Sequence, residues 1–420
     1  MHSVARVARR TFTVLAFESS ADDSCAALVT SSRKILANVV IKQDKLNASF
    51  GGIHPYIALD QHQSNLPVAL RTALNEAKLS VSDVDGIAFT RGPGMGGCLS
   101  VSMNAAKALA AAHNKPLIGV HHMQAHALTP FLTLPEDQVP QFPFLTLLIS
   151  GGHTLLLLAK SQTNFKIIAT AADENIGRAL DKGARALGLP PTGAALETFC
   201  ASEEPSQPLP TGFSFVLPMP RQLSFSYAGI RSQLQRHVHL LNEHYGGQTA
   251  AWSGLPHFPG DAIPAPIPQH HEHVGNEHRE ALRSLARLYQ RAAFQHLCEK
   301  VGLALRWCRE QLEPSNERVQ ALVVSGGVAS NLLLRTMLQD ELDKHEPGLP
   351  LRCPPPAMCT DNAAMIAWAS MHRFIAGDRD DFSIKLRPTW SLDELEIPEQ
   401  GTQGTWPPTQ PKPSKLSITK

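Results

Sequence analysis

The apolar positions of this chain fall into short runs separated by small or polar residues, and one arrangement of them recurs. TVLAFESS (13–20) is a β-rich run, followed by the polar turn ADDS and a second apolar run, CAALVT. That pattern predicts strand, tight acidic turn, strand. FPFLTLLISGGHTLLLLAK (142–160) repeats it around a Ser-Gly-Gly turn. DGIAFTRGPGMGG (85–97) predicts a strand ending in a glycine-rich turn, SVSMNAAKALAAAH (100–113) a helix of strong helix formers, and PLIGV (116–120) another buried strand. VQALVVSGGVASNLLLRTML (319–338) predicts strand, Gly-Gly turn, helix, and DENIGRALDKGARALGL (173–189) an amphipathic helix opening with acids that suit its dipole. Strand–turn–strand units alternating with helices predict an α/β chain of two related lobes with a cleft between them.

The expected organisation is a basic N-terminus (1–12), a first lobe (13–140), a second lobe (141–395) whose last helices close the cleft, and a Pro-rich disordered tail (396–420). Residues 233–280, rich in His, Pro and Gly, read as an inserted loop with little capacity to form a core. At 420 residues and 43% hydrophobic, the chain can bury a sizeable core. Its 38 Lys and Arg against 37 Asp and Glu announce no nucleic-acid partner by global charge, so any such partner must meet a local basic surface. No stretch approaches the roughly eighteen apolar residues of a membrane span, so a soluble protein with no membrane partner is expected. The 7 cysteines are scattered and form no CxxC, which fits free thiols and no zinc ribbon. The start MHSVARVARRTF carries Arg6, Arg9 and Arg10 with no acid before Glu18, the composition of a mitochondrial targeting segment.

Several turns have the residues for ligand chemistry. In SGGHT the pair Gly151 and Gly152 lets backbone N–H groups converge on an anion, although SGG taken alone favours a plain hairpin turn. The second SGG (325–327) leads into a helix N-terminus, and GPGMGG (92–97) supplies a third glycine turn. Asp22 and Asp23, adjacent in the first turn, can bind a cation, serve as a base, or simply suit a solvated turn. Asp181, lying mid-helix, is a candidate for hydroxyl recognition or an ion-pair partner of Arg178 or Arg185.

HHMQAH (121–126) places His122 and His126 at i and i+4, on one face of a helix, where both can reach one ion. A metalloprotease of the HExxH type needs a glutamate after the first histidine; Met123 stands there instead. A third ligand is available in CTDNAAMIAWAS (359–370), where Asp361 begins an apolar helix and can equally cap it. HHEH (270–273) is a competing metal tract within the loop-like insertion.

ESSADDS, GPGMGG, HMQAH, SGGHT, DEN-x-GRALDK, FSYAGIR, GGVASN, CTDNAAMIAWA and RPTWSLDEL occur in this order. As an ensemble over residues 13–395 they resemble the tRNA N6-adenosine threonylcarbamoyltransferases, formerly labelled O-sialoglycoprotein endopeptidases. The resemblance implies two ribonuclease H-like lobes of the acetate kinase, sugar kinase and actin superfamily with a central cleft. It implies transfer of a threonylcarbamoyl group from threonylcarbamoyl-AMP to N6 of adenosine 37, in tRNAs reading codons that begin with A. One divalent ion per subunit would be held by His122, His126 and Asp361. Leu148, Ile149, Ser150, Gly151 and Gly152 would line the adenylate site, with Asp181 on the ribose, and Gly193 and Asn331 near the nucleotide. Asp22 and Asp23 become the candidates for taking the proton from the attacking amine. The sequence departs from the family pattern at Arg178, Ala194, Arg231 and Ala21, and it looks more like the mitochondrial branch, which works as a homodimer.

An ATP-dependent kinase or ATPase of the same fold, and a non-catalytic nucleotide-binding scaffold, are the competing readings. The histidine–aspartate trio separates the transferase from the kinases, which need no such metal site.

Overall fold

A computed structural model describes residues 11–43, 46–47, 52–203, 208–245 and 275–395. The basic start up to residue 10, HHEH and the tail from 396 lie outside the described residues.

The first sheet contains β1 (Thr13–Glu18), β2 (Ser24–Thr30), β3 (Ile35–Ile41), β4 (Gly86–Gly92) and β5 (Leu117–His121), in the order β3-β2-β1-β4-β5. β1, β2 and β3 form an antiparallel meander, and β4 and β5 add in parallel. The second contains β6 (Phe144–Ile149), β7 (Thr154–Ala159), β8 (Phe165–Thr170), β9 (Leu322–Ser325) and β10 (Leu351–Arg352). Its order, β10-β9-β6-β7-β8, is the same topology read from the other edge, with the same antiparallel and parallel pairings. The recurring apolar pattern thus folds into two ribonuclease H-like lobes, each a five-stranded mixed sheet of the same topology.

Both faces of the first sheet are covered, so β1, β2, β4 and β5 are buried along their whole length rather than alternating with exposed residues. Leu15 and Phe17 face one cluster with residues of α1 (Pro55–Ala77) and α2 (Gly96–Ala112). Val14 and Ala16 face the opposite cluster, shared with α3 (His122–Thr133), which follows β5 directly. That cluster also contains Phe144, Leu148 and Leu157 of the second sheet, so α3 lies between the two lobes. The outer face of the second sheet packs on α4 (Ile176–Ala186), α5 (Gly193–Ala201), α6 (Ala228–His244), α7 (Asn276–Leu312) and α8 (Leu332–His345).

After the short α9 (Pro356–Cys359) comes α10 (Ala363–Ile375), whose position differs from the expected order. It packs on β1, β2, β4 and β5 of the first sheet and against α3. Ala363 to Ala367 are all buried, which demands cover on more than one side, and the inter-lobe layer supplies it. The chain then runs along the first lobe: Asp380 accepts from Gly119 N at 2.7 Å and Arg387 N donates to Arg91 O at 3.0 Å. The end of the chain assigned to the second lobe by sequence order therefore completes the first. Of the expected insertion, residues 233–244 belong to α6 and α7 begins at Asn276, while residues 246–274 lie outside the described residues.

Candidate metal centre

The three histidines of HHMQAH do different jobs. His121 ends β5 and caps α3: its Nδ1 accepts from Met123 N at 3.1 Å and Gln124 N at 3.4 Å, and its Nε2 lies 3.2 Å from Trp390 O. Burial holds its pKa down to about 3, so it is a neutral cap whose Nε2–H donates to the Trp390 carbonyl. His122 and His126 sit one helical turn apart with rings 4.7 Å between centroids. Asp361 precedes α10, and its Oδ1 lies 3.0 Å from His126 Nε2 and 3.5 Å from His122 Nε2. The expected cap role of Asp361 falls instead to Asn362, whose Oδ1 accepts from Met365 N at 3.0 Å. Relieved of capping, the Asp361 carboxylate turns to the histidines and keeps 24% side-chain exposure.

Behind His122 stands Glu18, which the motif reading passed over for Asp22 and Asp23. Glu18 continues the phase of Val14 and Ala16 on β1, and that two-residue period aims it into the inter-lobe layer. It is fully buried, accepts from Ser20 N at 2.5 Å and from Thr90 Oγ1, and lies 3.0 Å from His122 Nδ1. A proton on Nδ1 shared with Glu18 leaves Nε2 of His122 free to bind an ion, the carboxylate–histidine–metal arrangement. Against burial, which lowers it, Glu18 and Asp361 push His122 up to about 9. Against burial, which raises it, His122 and His126 hold Asp361 well below the usual carboxylate range.

The donor set fits a divalent ion. Ligand atoms of His122, His126 and Asp361 all lie within 4.8 Å of one another. Two imidazoles and a carboxylate are a set that transition-metal ions take. With Glu18 and Asp361 ionised and both histidines neutral, a doubly charged cation brings the local charge to zero. Without an ion, the proton that Glu18 and Asp361 stabilise on His122 offsets one of their two charges.

The other expected site residues lie nearby in the fold but make different contacts. Asp22 accepts from Asn47 Nδ2 at 2.6 Å in the β1–β2 turn, while Asp23 is buried beside it. That turn is pinned by His62, 2.8 Å from Ser24 Oγ and 3.0 Å from Ala21 O. Leu148 and Ile149 are core strand residues on opposite faces of β6, so their side chains are spent on packing. Ser150 Oγ accepts from Gly152 N and His153 N, which leaves Gly151 and Gly152 exposed at the turn. The second SGG turn abuts the first, since β9 runs parallel to β6. Gly326 has φ 101°, and a Cβ there would stand 2.3 Å from Ile149 O. The glycines of GPGMGG serve the protein's own backbone: a Cβ on Gly92 would meet Arg387 O at 1.9 Å, and one on Gly94 would meet Ser20. Asp181 accepts from Gly193 N at 2.7 Å, tying α4 to the start of α5, and burial raises its pKa. Asn331 caps α8 through Leu334 N at 3.1 Å.

A family model described as tRNA N6-adenosine threonylcarbamoyltransferase matches residues 34–368. The chain belongs to that family. A probable mitochondrial tRNA N6-adenosine threonylcarbamoyltransferase of Arabidopsis thaliana is 34% identical over 393 residues, 91% of this chain and 75% of the relative. A tRNA N6-adenosine threonylcarbamoyltransferase of Cereibacter sphaeroides is 38% identical over 388 residues, 91% of this chain and 94% of the relative. Among solved structures, the ROK hexokinase of Thermus thermophilus superposes with a TM-score of 0.40 at 15% identity, covering 87% of this chain and 99% of that one.

In this threonylcarbamoyltransferase family member, the positions that depart from the motifs have plain structural settings. Arg178 and Ala194 are exposed. Arg231 donates to Glu174 Oε2 at 2.8 Å and Lys182 pairs with the other oxygen, so a cation is kept beside that buried carboxylate. His153, the fourth residue of SGGHT, was not singled out by sequence. Its ring lies 5.9 Å from that of His122, and burial together with His122 lowers its pKa to about 4. Among the described residues, no helix is long and apolar enough to cross a membrane.

Proposed function

We propose that this protein transfers the threonylcarbamoyl group of threonylcarbamoyl-AMP to N6 of adenosine 37 in tRNAs reading codons that begin with A. The observation that carries the reading is the His122–His126–Asp361 cluster, braced by Glu18, in a chain of this family. Family membership favours transfer over the kinase and scaffold readings.

The donor is a mixed anhydride whose carbonyl is already activated, so the protein must orient it, stabilise charge on the departing phosphate and exclude water. His122, His126 and Asp361 would hold one divalent ion per subunit, which when bound supplies Lewis acidity toward the oxygens of the donor. The exposed Gly151 and Gly152 turn and its neighbour at Gly326 and Gly327 offer backbone N–H groups to the adenylate. In this reading Ser150 shapes the first turn, while Asp181, Gly193 and Asn331 set the adjoining helices α5 and α8. The adenine amine must lose a proton as it attacks, and Asp22 or Asp23 would accept it. Single-turnover transfer by Asp22→Asn and Asp23→Asn tests that role; unaltered rates in both variants would remove it.

A homodimer and a mitochondrial location belong to the same proposal, supported by the resemblance, the arginine-bearing start and the name of the Arabidopsis relative. Light scattering and organelle fractionation test them. The reaction is tested by incubating the purified protein with threonylcarbamoyl-AMP and unmodified tRNA, with and without chelator, and digesting the tRNA for nucleoside mass spectrometry. Threonylcarbamoyladenosine formed only without chelator is the expected result. Its absence with the ion bound overturns the proposal.

A further inference from the structure

Helix α4 presents one charged face. Ile176, Gly177, Ala179, Leu180, Gly183 and Ala184 are buried, which leaves Arg178, Asp181, Lys182 and Arg185 on the opposite side. Arg178, Lys182 and Arg185 stand at i, i+4 and i+7, so their side chains form a row of about 10 Å along the axis. Arg231 of α6 joins the row beside Lys182, since both pair with the Glu174 carboxylate. The acids of this region are turned to the protein. Asp173 accepts from Ser226 Oγ at 2.6 Å and Tyr227 N at 2.9 Å, Glu174 is buried between Lys182 and Arg231, and Asp181 accepts from Gly193 N. Arg178 is exposed and has no salt bridge among the described residues.

The row starts at the candidate site. A Cβ on Gly177 would stand 2.6 Å from Gly151 N, so the first turn of α4 lies directly on the Ser150–Gly152 turn. Asn175 Nδ2 ties the two together by donating to Gly152 O at 2.6 Å. The next residue, His153, has its ring 5.9 Å from that of His122. With 38 Lys and Arg against 37 Asp and Glu in the whole chain, a row of cations here is not a sample of a general excess. The adenylate donor has one phosphate and needs one cation. A row of three cations joined by a fourth matches instead the repeated phosphates of a nucleic-acid strand. Arginine, at three of the four positions, presents a planar fork of N–H donors that suits phosphate oxygens. Arg178 and Arg231 are also positions at which the chain departs from the family pattern, so the row belongs to this chain rather than to the motifs.

We propose that the Arg178–Lys182–Arg185 row of α4, with Arg231, is the surface on which the phosphates of the substrate RNA dock beside the candidate metal centre. The inference rests on the transferase reading and gives its nucleic-acid substrate a place on the protein. Backbone contacts of this kind position a nucleic acid without reading its bases. The probe is a fluorescently labelled, unmodified anticodon stem-loop, its affinity measured by anisotropy across a series of KCl concentrations. Arg178→Gln with Lys182→Gln removes two charges of the row and keeps Arg231 on Glu174. Arg178→Glu alone is the second variant should the pair fold poorly. Arg291→Gln with Arg306→Gln, exposed on α7, removes the same net charge elsewhere.

For the pair in the row, the slope of log affinity against log salt is expected to become shallower by about 1.4–1.8. Affinity at about 0.1 M salt should fall at least about tenfold, and Arg178→Glu should move both quantities the same way. The control pair should keep the wild-type slope, and every variant should bind threonylcarbamoyl-AMP and metal as wild type does. An unchanged slope in both variants of the row overturns the proposal. So does an equal loss in the control pair, which would mean attraction by net charge alone. Weakened binding of threonylcarbamoyl-AMP with the salt slope intact gives the row to the donor and likewise overturns it. If wild type forms no threonylcarbamoyladenosine yet the slope falls only in the row variants, the transferase reading fails and the RNA surface stands.

Discussion

Replacing Glu18 by Gln removes one charge from behind His122 and leaves the shape of the side chain almost unchanged. In the native protein its two oxygens accept from Ser20 N, Thr90 Oγ1 and His122 Nδ1. A glutamine has one acceptor oxygen and one NH2. If the oxygen serves His122, the NH2 faces the Ser20 N–H; if it serves Ser20, the NH2 faces His122 and favours the tautomer with its proton on Nε2. The first arrangement strands a buried donor, at about 1–3 kcal/mol of folding stability. The second puts the proton where the ion must bind. Loss of such an outer carboxylate lowers metal affinity about 10- to 100-fold, equivalent to about 1.4–2.7 kcal/mol. The assay is competition between the protein and a chromophoric chelator for one divalent ion, paired with urea denaturation of the metal-free protein. Glu18→Gln is expected to weaken binding by at least about tenfold. If metal affinity stays at wild-type level while metal-free stability drops, Glu18 is only a core residue and the reasoning about His122 fails.

Metal affinity should rise with pH, because an ion must displace the second proton of His122, whose pKa is about 9 in the metal-free site. The expected slope is about tenfold per pH unit from about pH 6.5 to 9; a flat profile refutes the assignment. The same raised pKa sets the stability of the metal-free protein: the contribution of His122 is complete below about pH 6.5. It is lost as pH climbs through about 9, which denaturation across that range with chelator present will show. Asn362→Ala should cost about 1 kcal/mol through the lost cap on α10. It should keep a bound metal ion, so a metal-free variant would contradict the division of labour between Asn362 and Asp361. Gly326→Ala should destabilise by about 2 kcal/mol or more by denaturation, given its positive φ and the Ile149 carbonyl in the way.

Much of the site was legible because it rests on local periodicity. The i, i+4 spacing of His122 and His126 needs only a helix, and the apolar runs of β1, β2, β6 and β7 appear as strands in the chain. What escaped depends on phase and on distant partners. Glu18 looks like the polar end of a strand until its register with Val14 and Ala16 is joined to the knowledge that α3 lies opposite. A carboxylate in phase with a fully buried strand face was the available signal. Asp361 and Asn362 both suit a helix N-cap, and only the fold shows which one is drawn away by two imidazoles. His121 resembles its neighbours in sequence, yet its place at the end of β5 makes it a cap. The return of α10 to the first sheet could not be read from order at all, since an all-apolar helix says that it is covered and not by what.

That return of α10 bears on how the protein is made. A chain emerging from the ribosome can lay down β1 to β5 early, but the inner face of that sheet waits for α10 and the segment following it, which come after the whole second lobe. His122 and His126 are synthesised more than two hundred residues before Asp361, so the ligand set closes only when nearly all of the chain is available. A chain cut short anywhere before α10 would expose Val14, Ala16, Ala88 and their neighbours to solvent as an uncovered apolar surface. It would have two histidines and no ion held between the lobes. Closure of the inter-lobe layer and assembly of the candidate ligand set therefore both wait for α10 and the residue before it.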